Sequence, residues 1–161
     1  MKAAIVGALS FHPRLLILDE PFSGLDPAVR DEVMDALFET MASQEWTMVI
    51  SSHEIEEVER LADGLIVLDG GKAVLREDKD ALLGRCRMVS LHSAVMPDAA
   101  SLPATWWNVA RGEERVSFVD SNHSAGAFAD DVRKHFPDAR HLAVEPAPLR
   151  AIVRALLRQN T

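Results

Sequence analysis

Leu15-Leu16-Ile17-Leu18-Asp19-Glu20-Pro21 is an apolar run that ends in two adjacent carboxylates and a proline. Four consecutive aliphatic side chains of this kind predict a strand that is apolar on both faces, the pattern of a parallel sheet covered on both sides. Ligands of open parallel sheets bind beyond the carboxyl ends of the strands, so Asp19 and Glu20 stand where chemistry would occur. An Asp there can hold Mg²⁺ through water, because this hard ion takes oxygen ligands and keeps much of its hydration. A neighbouring Glu can orient and deprotonate the attacking water of a phosphoryl transfer. On their own the two acids read as an ordinary strand end whose carboxylates cap the next turn; the residues that follow outweigh that reading.

Downstream comes Phe22-Ser23-Gly24-Leu25-Asp26-Pro27. Asp26 followed by proline is an N-cap with proline in the first turn, and predicts a helix over 27–43 with Val29, Val33, Leu37 and Met41 on one face. Residues 47–50 read as a second strand that runs into Ser51-Ser52-His53-Glu54. A short helix over 54–62 follows, with Ile55, Val58 and Leu61 inward and its acids on a solvated face. Residues 65–68 read as a third strand, and Asp69-Gly70-Gly71-Lys72 predicts a hairpin into 73–75. Upstream, residues 3–9 read as a helix. They imitate the apolar stretch of a secretory leader, but lie at the lower limit of the ~7–15 residues such a stretch uses. An imidazole at a strand end can donate a hydrogen bond to phosphate, and His53 lies one strand beyond the acids, able to converge on them. The histidines at 12, 92, 123, 135 and 141 have neither HExxH spacing nor a cysteine partner and read as solvated or structural.

The ordered set of residues 15–21, 22–27 and 50–54 resembles the ATPase subunit of ABC transporters, in which a Walker B strand and catalytic Glu are followed by the D-loop and later by a switch histidine. The resemblance continues through Glu56-Glu57-Val58-Glu59-Arg60-Leu61-Ala62-Asp63 and the hairpin ending near residue 75. It implies a cytoplasmic protein, peripheral at the inner face of the cell membrane, that uses ATP and Mg²⁺ to drive transport. By the resemblance Asp19 is the Mg²⁺-water ligand, Glu20 the catalytic base and His53 the contact to the γ-phosphate. Ser23, Gly24, Leu25 and Asp26 form the loop that crosses the ATPase dimer interface. Transmembrane permease subunits and a second ATPase subunit are the implied partners. The terminal amphipathic stretch around residues 149–157 resembles the extensions of bacterial export ATPases, so export is the expected direction.

A phosphate loop of the form GxxxxGK[ST] does not occur in the sequence. The Gly71-Lys72 pair is followed by Ala73, and Ile66 occupies the place of the upstream glycine. Also absent are a glutamine loop and an LSGG-type signature, while residues 1–11 resemble the helix that follows that signature. The expectation is therefore the C-terminal half of an ATPase domain, arising from a misplaced start codon, a truncated gene or a designed fragment, with a separate N-terminal half as a further partner. Two unpaired sheet edges would result, a hazard for aggregation.

The 161 residues carry 25 Asp and Glu against 17 Lys and Arg, a formal charge of −8. This acidity argues against a nucleic-acid partner, whose phosphates call for clustered cations. The 48% apolar and 26% charged composition excludes a disordered or collagenous chain. The single cysteine, Cys86, cannot close an internal disulfide. Acids concentrate early: residues 1–84 hold 17 acids and 7 bases, residues 85–161 hold 8 and 10. With the loss of regular patterning near Gly84-Arg85, this sets an expected boundary between residues 1–84, the ATPase part, and 85–161, a small α+β accessory domain. In the latter, residues 87–92 and 116–119 read as strands, 125–136 as a helix, 142–144 as a strand and 148–159 as an amphipathic helix bearing Leu149, Ile152, Val153, Leu156 and Leu157. The fold class is thus α/β, a partial P-loop NTPase parallel sheet followed by a small α+β extension. Two alternatives differ in class: a non-enzymatic partner-binding or regulatory module derived from a decayed ABC ATPase, disfavoured by the intact Asp19, Glu20 and His53, and a chromosome-maintenance ATPase, which would need heptads or a basic face.

Overall fold

The apolar run extends through Asp19 to form β1 (Leu15–Asp19), which pairs in parallel with β2 (Thr47–Ser51) from Leu15↔Thr47 to Asp19↔Ser51. The computed structural model describes residues 5, 7, 8, 11, 13–43, 47–112 and 115–159, without the side chains of 41–43 and 58. Its two compact units are Met1–Ala62 and Asp63–Thr161.

In the first unit α1 (Pro27–Ser43) and α2 (Ile55–Leu61) follow β1 and β2. Asp26 begins α1 as its composition predicts: its carboxylate accepts the Ala28 amide at 3.0 Å and its carbonyl the Arg30 amide at 2.9 Å. Val33, Met34 and Leu37 pack with Ile5, Phe22 and Leu61, and Leu18, Leu25, Met48 and Ile50 border this core. The expected stripe is corrected here, since Met34 takes a core position and Val29 is only half-buried. Ile5, Gly7 and Ala8 are helical; the rest of the helix expected over 3–9, like inward Met41 and Val58, lies outside the described residues. The opposite face of the pair is uncovered: Leu15 is 53% exposed, Ile17 68% and Val49 49%.

The second unit starts with the antiparallel hairpin of β3 (Gly64–Asp69) and β4 (Lys72–Asp78), turned by Gly70 and Gly71 at φ 53° and 76°. Two consecutive positive φ values are what a two-residue hairpin turn needs, and glycine adopts them without strain. Among the described residues β2 pairs only with β1 and β3 only with β4. Asp78 then caps α3 (Lys79–Arg85), accepting the Ala81 amide at 2.8 Å. The packing division between Ala62 and Asp63 thus precedes the expected boundary at Gly84-Arg85, which the structure ties down. Arg85 donates from Nε and Nη2 to the two Glu77 carboxylate oxygens at 2.8 and 2.6 Å and from Nη1 to the Ser121 carbonyl. Cys86 beside it is buried, and burial pushes its thiol pKa up.

Beyond Arg85, β5 (Arg87–His92), β6 (Trp106–Arg111), β7 (Arg115–Asp120) and β8 (Arg140–Pro146) form an antiparallel sheet in the order β6-β7-β5-β8. On one face α4 (Ala125–His135) sets Phe128 and Val132 against Val89, Leu91, Trp106, Val116 and Phe118, with Phe136 beside them. The terminal helix α5 (Leu149–Gln159) packs against β6 and β7.

Candidate functional site

Asp19 ends β1 with Glu20 next after it, and Ser51 ends β2 directly across from Asp19. Parallel pairing makes both strands finish on the same rim, so the register alone delivers the acids and the turn after β2 to one place. The Ser51 hydroxyl donates to Asp19 Oδ1 at 2.5 Å and accepts the Glu20 amide at 2.9 Å, while the Ser51 carbonyl takes that amide at 3.2 Å. Glu20 itself sits at φ 45°, a left-handed conformation rare for a side chain of its size. Such backbone geometry persists where neighbouring bonds enforce it, as the double hold of Ser51 does here.

His53 Nδ1 lies 2.8 Å from Glu20 Oε2, with both side chains partly open to solvent. The hydrogen bond and charge of Glu20 raise the His53 pKa above its ordinary value. The turn carrying His53 is held from behind. Ser52 Oγ donates to Glu57 Oε2 at 2.9 Å and accepts the Glu54 amide at 3.0 Å, and Glu57, 5% exposed, pairs with Arg30 Nη1 at 3.0 Å. Glu57 is therefore a buried tie between α1 and α2, which corrects the reading of the α2 acids as one solvated face. Ser51, Glu57 and Arg30 went unrecognised in the sequence; the one signal was the strand pattern, whose register sets Ser51 opposite Asp19.

The expected loop residues follow as a tight turn, with Ser23 N donating to the Glu20 carbonyl at 3.1 Å and Leu25 N to that of Phe22 at 3.2 Å. Gly24 takes φ 72° and Leu25 leans on the core. Asp26 is engaged as the α1 cap, and the side chains of Ser23 and Asp26 are exposed. Thus Asp19, Glu20 and His53 share the rim, while Ser23, Gly24, Leu25 and Asp26 form the turn next to it.

The rim offers two carboxylates and a hydroxyl, all hard oxygen donors suited to Mg²⁺. No group of three or more His, Cys, Asp or Glu side chains able to hold a metal occurs among the described residues, so most ligands of such an ion would be water or substrate oxygens. Of the remaining described histidines, His123 bonds buried Asp120 at 3.0 Å, His135 packs on Trp106, and His92 and His141 meet edge to face. No helix among the described residues is long and apolar enough to cross a membrane.

No protein-family model matches the chain. Curated relatives do. An energy-coupling factor transporter ATP-binding protein of Clostridioides difficile is 39% identical over 44% of this chain and 24% of its own length. The molybdenum import ATP-binding protein of Rhodobacter capsulatus is 42% identical over 44% and 20%. The L-cystine import ATP-binding protein of Bacillus subtilis is 40% identical over 45% and 29%. The chain thus spans less than a third of the length of these relatives. A solved structure from Clostridium perfringens, a part of the ABC transporter complex cbiONQ, is 34% identical over 52% of this chain and 33% of its own, with a TM-score of 0.46. The relatives whose names give a direction are import proteins, so the export expectation finds no support among them. Over the segment that these relatives match, a little under half its length, the chain is similar to the ATP-binding proteins of ABC transporters.

Proposed function

We propose that the Asp19–Glu20–His53 rim is the water-activating side of an ATP hydrolysis site in an ABC transporter ATP-binding subunit, and that residues 1–84 derive from that subunit's ATPase domain. The observation that carries the proposal is the 2.8 Å Glu20–His53 contact on the rim of a parallel pair. In this reading Glu20 takes a proton from water as the water oxygen attacks the γ-phosphorus, and the bond to the β–γ bridging oxygen breaks as ADP leaves. His53 releases Glu20 and donates its hydrogen bond to a γ-phosphate oxygen. Asp19, fixed by Ser51, would hold Mg²⁺ through its water shell, and the ion would supply positive charge to offset that of the phosphates. Ser23, Gly24, Leu25 and Asp26 face a second ATPase subunit, permease subunits couple the cycle to transport, and the protein works at the inner surface of the cell membrane.

The sequence supplies no phosphate loop, so binding of nucleotide needs a segment that does. The test is to add to the full chain a separate polypeptide bearing the phosphate loop and signature of an ABC ATP-binding relative, and to measure Mg²⁺-dependent phosphate release. Alone, the chain should show no measurable turnover. The mixture should hydrolyse ATP, with Glu20→Gln still binding nucleotide but inactive. Equal turnover with Glu20→Ala would remove the base assignment.

A further inference from the structure

β8 is an edge of the four-stranded sheet: β5 lies on one side of it, and among the described residues no strand lies on the other. Six of its seven residues are exposed, so nothing in the described chain closes over it. Val144 sits opposite the fully buried Val89 yet is 37% exposed, and Leu142, two residues back on the same face, is 44% exposed. An edge with an open row of N–H and C=O groups and apolar side chains beside it is a template for a further strand.

The groups it offers follow from the ladder. In an antiparallel pair, successive residues turn their N–H and C=O alternately toward and away from the neighbouring strand. Ala147 N donates to the Cys86 carbonyl at 3.4 Å, in register with the pair Arg87↔Pro146, so Ala147, Glu145 and Ala143 face β5. Pro146, Val144 and Leu142 then face the open side. Pro146 has no N–H to offer, as suits an outward position, which leaves Leu142 and Val144 with both groups turned outward. Charge is divided along the same strand. Arg140 and His141 precede this stretch and Glu145 follows it, and neither Arg140 nor Glu145 has an ion-pair partner among the described residues.

We propose that β8 is the contact of a symmetric dimer, in which β8 of a second copy of this chain pairs with it antiparallel and joins two four-stranded sheets edge to edge. Outward residues bond only to outward residues, which allows a two-fold axis at Leu142, Ala143 or Val144. The axis at Ala143 sets Leu142 against Val144 of the second copy and Val144 against its Leu142, so both outward residues are used. It also brings the Glu145 end of each strand to the Arg140–His141 end of the other, twice over by symmetry, and opposite charges across a strand pair are favourable. With the axis at Val144, Leu142 meets Pro146; with the axis at Leu142, Glu145 is carried past Arg140. Growth stops at the dimer, because β6, the remaining edge, is interrupted between Trp107 and Ala110 where Asn108 takes φ 51°. The contact needs nothing from the Asp19–Glu20–His53 rim, so it stands or falls separately from the ATPase reading.

The test is sedimentation equilibrium of the full chain and of variants that recharge the two ends of β8. The parent should be a mixture of monomer and dimer at a concentration on the order of 100 µM, as the small area of one strand pairing implies. Glu145→Lys makes both ends basic, and the double change Arg140→Glu with His141→Asp makes both acidic. Each variant alone should self-associate about tenfold or more weakly, whereas the two mixed in equal amounts should associate at least as tightly as the parent. A general loosening of the fold would not restore pairing in the mixture. All three side chains are exposed, so the variants should keep the thermal unfolding midpoint of the parent. As a check on register, Ala143→Cys should give a disulfide-linked dimer under mild oxidation and Leu142→Cys should not, Cys86 being buried. A parent that stays monomeric, its edge left for an unlike polypeptide, would overturn the proposal. So would self-association undiminished in the recharged variants, which would run through another face such as that of Leu15, Ile17 and Val49, or a mixture that fails to pair.

Discussion

The parallel pair β1–β2 and the antiparallel sheet β6-β7-β5-β8 use strands of similar length, yet only the second has a helix against each face. In the antiparallel sheet Val89, Leu91, Val116 and Phe118 are closed off by α4, and the other face is mostly small or polar where α5 leaves it open. In the parallel pair the even-numbered side chains meet α1 and α2, while Leu15, Ile17 and Val49 face outward. The Asp19–Glu20–His53 cluster belongs to the half-covered pair. On the proposed function, stability and catalysis then rest on different parts of the chain.

The widest separation between the two regions should appear in turnover. In the complemented assembly described above, Glu20→Gln is expected to cost about 10²–10⁴ in rate, the usual worth of a general base, and Arg115→Gln nothing. Phosphate release assays on both variants decide whether the rim alone carries the chemistry. Stability should divide the other way. Phe136→Ala, in the core over the antiparallel sheet, is expected to cost about 3–5 kcal/mol in a denaturant titration, whereas Ile17→Ala on the open face should stay within about 0.5 kcal/mol. A large loss from Ile17→Ala would mean that the open face is covered in solution. Between the two lies the cap of α1: Asp26→Ala should lower stability by about 0.5–2 kcal/mol, read in the same way.

The finest test is the titration of His53. Glu20 raises its pKa in the folded chain. The pair therefore adds stability that is fully present below the ordinary imidazole pKa and is lost as pH rises through the raised value. Imidazole resonances followed against pH should show His53 titrating above the unperturbed ~6.5 and moving back toward it in Glu20→Gln. An unmoved midpoint in that variant would uncouple the two side chains.

Much of this was legible before any coordinates. The unbroken apolar run of β1, the Asp26-Pro27 cap of α1 and the paired glycines at 70 and 71 each carry a local physical signal, and each element formed where the signal stands. Two elements carried weak ones. β6 escapes recognition because Asn108 takes φ 51° at an irregularity between Trp107 and Ala110, which interrupts the period-two alternation. α3 spans seven residues and contains Gly84, too short for a periodic stripe. At the site, Asp19, Glu20 and His53 stood out by residue type at strand ends. Ser51, Arg30 and Glu57 did not, because their importance comes from tertiary partners and no local pattern distinguishes Glu57 from the acids around it.

The fastening at Arg85 bears on how such a chain can be rearranged by recombination. A graft that begins at residue 85 would carry a half-buried guanidinium away from the Glu77 carboxylate that it holds below the usual range. It would also leave behind α3 together with its Asp78 cap. A graft beginning at residue 63 brings hairpin, cap, ion pair and sheet together. The inheritable module is accordingly the longer one, and a gene fusion that transplants this sheet to another host should retain the two glycines of its hairpin along with it.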